Sequence, residues 1–151
     1  MYSNNDKYRI DLVIFLNGFP VVTVELKNSL TGQTHHNAIK QYMTDRPVKN
    51  EPFLQFKRCL VHFAVGSEQA FMTTKLDGDN TNFFPFNQCF ENREEDEEAQ
   101  KRRVAAHLGY RTYYIWEDVL RMDNLMDLIQ NFINVQVSSE RFYNEKKRQF
   151  D

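Results

Sequence analysis

The sequence predicts an α/β domain in which a single sheet is covered by helices, and three observations carry that prediction. Two strand-like runs, Tyr8 to Leu16 (YRIDLVIFL) and Val21 to Lys27 (VVTVELK), stand on either side of Asn17-Gly18-Phe19-Pro20. β-Branched and aromatic runs flanking an Asn-Gly pair are the pattern of a hairpin. A third run, Arg58 to Val65 (RCLVHFAV), reads as a mostly buried strand, and apolar residues at helical offsets fill Gln33 to Thr44 and Val119 to Val135. A chain of 151 residues supports one domain with a real core but not two.

The remaining elements follow in order. In Gln33 to Thr44, Ala38, Ile39, Tyr42 and Met43 repeat at helical spacing, and Pro47 and Pro52 bracket a turn beyond it. Ala70 to Thr74 pairs back on the third strand as a second hairpin, and Asp77-Gly78 closes the next turn. Asn82 to Phe90 holds Phe83, Phe84, Phe86 and Phe90 and reads as an irregular stretch docking aromatics onto the domain. The run Glu94 to Glu98 followed by Lys101-Arg102-Arg103 suits an exposed helix with acids early and bases late. Tyr110 to Ile115 is either one more strand or a loop of aromatic anchors. Leu120, Leu125, Leu128, Ile129, Phe132 and Ile133 mark an amphipathic helix with a break near Asp123. The polar tail, 138–151, reads as the start of a linker beyond a core domain of 1–137.

Composition excludes several function classes. With 41% hydrophobic residues the chain is not disordered as a whole. A net charge of −2 gives no general support for nucleic-acid binding, so DNA contact requires a local patch. Lys40, Arg46, Lys49, Lys57, Arg58 and Lys75 could supply one. Cys59 and Cys89 lack disulfide spacing and fit a reduced, cytoplasmic protein. The longest apolar stretch, Leu60 to Val65, falls far short of a membrane span. No glycine-rich phosphate loop supports a nucleotide-binding enzyme. His35-His36 has no Cys or His at metal-ligand spacing and reads as a polar helix start; His62 reads as a core histidine.

The chemistry concentrates in the first hairpin. Side chains two apart share a strand face, so Glu25 and Lys27 project together, and Asp11 is an acid among apolar neighbours. Charges in such places are usually paired or bound to metal. Asp11 shares the face of Glu25 only if opposed residue numbers sum to an even value such as 36, through a three-residue loop or a bulge. A strict four-residue loop would pair Leu16 with Val21 and place Asp11 on the face of Leu26. Two carboxylates can hold a hard divalent cation such as Mg2+, with Mn2+ as an alternative. An ammonium two residues along can orient an attacking water and stabilise developing charge. The main-chain carbonyl of Leu26 is a further metal ligand candidate.

The stretch RIDLVIFLNGFPVVTVELKN, Arg9 to Asn28, resembles the PD-(D/E)XK nuclease core in the restriction subunit of type I restriction-modification enzymes. The likeness continues through NAIKQYMTDRP, RCLVHFAV, MTTKLDG and YIWEDVLRMDNLMDLIQNFI, from Arg9 to about Val135. It implies a restriction-endonuclease-like fold, a central mixed β-sheet flanked by helices, missing the helices that precede the aspartate strand in the family. It implies Asp11 and Glu25 as metal-binding carboxylates and Lys27 as the catalytic lysine in Mg2+-dependent hydrolysis of double-stranded DNA. Of the family's Q-x-x-x-Y helix, Tyr42 matches the tyrosine; Ala38 stands at the glutamine position, with Gln41 one turn on as its substitute. The resemblance also implies a fragment of a longer subunit, with a helicase-like motor that uses ATP and with methylation and specificity subunits as partners. Two other readings stay open at this point: a docking or structural module with vestigial nuclease residues, and another nuclease of the same fold, such as a repair enzyme.

Overall fold

In the computed structural model, the described residues are 8–46, 48–49, 51–55, 58–88 and 97–132. Five strands form one sheet in sequential order: β1 (Leu12–Leu16), β2 (Phe19–Leu26), β3 (Val61–Val65), β4 (Ala70–Thr73) and β5 (Phe84–Pro85). β2 and β3 run parallel, and the other neighbours are antiparallel, so the sheet is mixed. The parallel pair requires a crossover, which the chain makes through α1 (His35–Lys40) and a π-helical turn, Gln41–Asp45.

Hairpin β1-β2 closes through a two-residue turn, tighter than the four-residue link between the apolar runs. Asn17 and Gly18 have φ of 49° and 83°, the left-handed pair that matches the twist of the flanking strands. Leu16 thus faces Phe19, and Phe15 faces Pro20, but Ile14 faces Val22. Val21 is the extra residue of a bulge, next to a proline that has no N–H for the ladder. Beyond the bulge the opposed numbers sum to 36, the parity that brings Asp11 to the Glu25 side. Gly18→Ala is expected to cost about 1 kcal/mol in urea denaturation. An added Cβ meets nothing within 4 Å, so the cost arises from the positive φ alone.

The two faces of the sheet bury different layers. On one, Val22, Val24, Val61, Phe63 and Val65 pack against Tyr114, Ile115 and Leu125. These last residues lie at a π-helical turn, Ile115–Val119, and in α3 (Met122–Asp127), which continues as Leu128–Phe132. The other face carries Thr23, Glu25, His62 and Ala64 beneath α1 and its extension, where Ala38, Tyr42, Leu54 and Leu76 complete a second core.

Several expectations change in detail. Tyr110 to Ile115 forms turns leading into a helix rather than a strand, with the Tyr113 and Tyr114 rings buried as anchors. The break in the following helix falls at Leu120-Arg121, before Asp123, where Arg121 is extended (φ −64°, ψ 144°). The stretch from Asn82 contributes a two-residue edge strand, β5. His35 starts α1 as read, but it is buried and stacked on Phe71 with ring centroids 4.7 Å apart. The charged run ends in α2 (Glu97–Ala106), on which Lys101, Arg102 and Arg103 are exposed. Cys89, Glu94 to Asp96 and the tail, 133–151, lie outside the described residues. Among the described residues no helix is long and apolar enough to cross a membrane.

Candidate active site on the first hairpin

Strand pairing assembles the site. Carrying the β1-β2 register one pair beyond Leu12 and Val24 sets Asp11 across from Glu25. The exposed Asp11 carboxylate is fixed there, its Oδ2 accepting the backbone N–H of Leu26 at 2.8 Å. Glu25 is fully buried, as expected of a central strand residue covered by α1 and its extension. Lys27 follows one residue beyond β2, where its backbone N–H donates to Val65 O at 2.8 Å and so continues the parallel pairing. Strand alternation then keeps Lys27 on the side of Glu25. Asp11, Glu25 and Lys27 are therefore brought to one side of one hairpin.

A buried carboxylate needs a partner, and Glu25 has half of one. Arg46 Nε donates to Glu25 Oε1 at 2.8 Å, while Glu25 Oε2, also buried, has no hydrogen-bond partner. Burial pushes the Glu25 pKa up to about 7; the Arg46 charge opposes this, and the Asp11 carboxylate adds to it. An unpartnered buried oxygen beside a second carboxylate fits a divalent cation, since hard cations take carboxylate oxygens and complete their shells with water.

Arg46 corrects a sequence expectation. Counted with Lys40, Lys49, Lys57 and Arg58 as a possible phosphate contact, it is 5% exposed and committed to Glu25. Lys40, Lys49, Arg58 and Lys75 are exposed, Lys75 with Asp77 at 3.1 Å; Lys57 lies outside the described residues.

The helix residues take supporting places. Tyr42 is fully buried and bonded at 2.8 Å to Thr23 Oγ1, which also meets His62 Nδ1 at 2.7 Å. One consistent assignment has Tyr42 donating to Thr23 and Thr23 donating to His62. Tyr42 thus offers no surface to DNA and braces the floor of the site from within. Gln41 is half-buried, and its Oε1 has no partner. Thr23 and His62 escaped the sequence reading as a network, although Thr23 sits two residues before Glu25 on the same strand face.

Burial lowers the His62 pKa from 6.5 to about 3. Its effect on stability opposes that of Glu25. Between pH 3 and 6.5 the unfolded chain carries a proton on His62 that the folded chain lacks, so stability falls as pH drops below 6.5. Between pH 4.5 and about 7 the folded chain retains a proton on Glu25 that the unfolded chain has released, so stability falls as pH rises. The two cancel in large part from pH 4.5 to 6.5. In chelator, Glu25→Gln is therefore expected to gain stability as pH rises through this window, and His62→Asn to lose it, each by on the order of 1 kcal/mol per pH unit. Urea titrations at three pH values check the opposite slopes.

A family model described as the Type I restriction enzyme R protein N terminus matches residues 1–81, just over half of the chain. No curated protein and no solved structure matches it.

Proposed function

This chain belongs to the family of type I restriction enzyme R protein N termini, and on that premise we propose that it is the enzyme's Mg2+-dependent endonuclease domain, hydrolysing double-stranded DNA with a PD-(D/E)XK site. The observation that carries the reading is the bulged register, which sets Asp11 across from Glu25 while Glu25 Oε2 remains buried and unpartnered. The mixed sheet, with an acid on β1's leading edge and E-x-K at the end of β2, is the arrangement such a site requires.

Asp11, Glu25 and the main-chain carbonyl of Leu26 are the oxygens that would hold the ion. A divalent ion bound there supplies neutralisation of the phosphoryl oxygens and a more acidic water. Lys27 orients the attacking water and offsets charge that grows on the phosphate. Tyr42 and Gln41 support the strand from the helix side. Contacts to phosphates rather than bases suffice for cutting, and exposed Lys40, Lys49 and Arg58 are the candidates. Target choice then belongs to the methylation and specificity subunits, and ATP use to a motor elsewhere in the complete subunit, all of them acting on DNA in the cytoplasm.

The test is nicking of supercoiled plasmid with Mg2+ or Mn2+, with and without chelator, by this chain alone and by this chain joined to a helicase-like motor. Metal-dependent cutting by either is the expected result. Absence of cutting by both, or cutting that ignores chelator, overturns the proposal in favour of a docking module.

A further inference from the structure

Phosphodiester hydrolysis can be served by one divalent ion or by two, and the oxygens available at the hairpin distinguish these cases. Two-ion sites hold their ions about 3.5–4 Å apart, which demands a carboxylate that bridges through both oxygens, or further acidic ligands. A cation on Glu25 Oε1 would lie against the Arg46 guanidinium, so Glu25 is a poor bridge as it stands. Its Oε1 accepts from Arg46 Nε at 2.8 Å, and Arg46 is itself held in place by burial and by a contact of 3.4 Å from Nη1 to the Asp45 carbonyl. Asp11 Oδ2 accepts the N–H of Leu26, which leaves the other Asp11 oxygen the freer one for an ion. Among the described residues no group of three or more His, Cys, Asp and Glu side chains could hold a metal. Of the side-chain oxygens, Glu25 Oε2 and the second one of Asp11 are what remain.

Charge points the same way. Asp11 and Glu25 contribute two negative charges, and Arg46 and Lys27 return two positive ones. One dication already leaves the cluster positive, and a second would have to sit against a buried guanidinium that cannot leave for water without exposing Glu25 Oε1. We propose that Arg46 stands where a second cation would, so that the hairpin takes a single divalent ion through Glu25 Oε2 and Asp11. The inference rests on the nuclease reading and specifies its stoichiometry.

The intact chain is titrated with Mn2+ at pH 8, with free Mn2+ followed by electron paramagnetic resonance, beside Asp11→Asn, Glu25→Gln and Arg46→Gln. One ion per chain, lost in the first two variants, is expected. Arg46→Gln retains a donor for Oε1 without the charge, and it should bind Mn2+ at least fivefold more tightly. Two ions per wild-type chain, both lost in Glu25→Gln, overturn the single-ion site and leave the nuclease reading standing. No binding that depends on Asp11 or Glu25 overturns both. Unchanged or weaker binding by a folded Arg46→Gln removes the guanidinium from the role of a competing charge. Should that variant not fold, the wild-type stoichiometry alone decides.

Discussion

Asp11→Ala and Lys27→Ala should each lower metal-dependent nicking by on the order of a hundredfold or more, in whichever chain cuts. The two losses have different origins. On the proposed reading Asp11 supplies one of two side-chain oxygens for the ion, so its removal is expected to raise the Mg2+ concentration needed as well as to slow cutting. Its exposed position, with a main-chain hydrogen bond from Leu26, means that the fold loses little. Lys27 is proposed to supply charge at the reacting phosphate, so Lys27→Ala should leave the Mg2+ requirement nearly unchanged while the rate collapses. Plasmid nicking across a Mg2+ series separates these patterns. Wild-type rates in both variants would show that other residues cut.

Arg46→Met is expected to destabilise the metal-free fold by about 3–5 kcal/mol at pH 8. The substitution keeps most of the side chain's volume but leaves the ionised Glu25, fully buried, with neither oxygen bonded. Near pH 5 the loss should be smaller, because Glu25, already raised to about 7, can take a proton and shed its charge. A matching Glu25→Leu change removes the stranded charge, so the double variant should be less destabilised than Arg46→Met alone. Guanidinium denaturation in chelator measures all three, and additivity of the two single changes would mean that the pair does not interact.

The proposed trio was legible in the sequence because it is local: seventeen residues of hairpin, an Asn-Gly turn, and strand alternation specify which side chains share a face. Even the parity condition could be written down in advance. What could not be written down was how parity would be met, since a short turn with a bulge at Val21 and a three-residue loop give the same sum. Arg46 was missed for a different reason. It reaches Glu25 only after the chain has crossed the sheet, and an arginine before a proline reads as a solvated turn residue. The Thr23, Tyr42 and His62 network likewise depends on parallel pairing between β2 and β3, in which Thr23 lies beside His62. Long-range packing decided these points, and periodicity carries no record of it.

The bulge at Val21 gives this hairpin an arithmetic of inheritance. Exchanges of one apolar residue for another around Phe19 to Val22 alter packing by degrees, but the loss or gain of a single codon there acts like a frameshift confined to one strand. It would turn Asp11 to the far side of the sheet with every residue of the proposed site still present in the gene. A descendant that lost one residue could recover by losing or gaining another between Asp11 and Glu25, and the spacing of fourteen positions between the two acids is thus as much a part of the proposed site as the acids themselves.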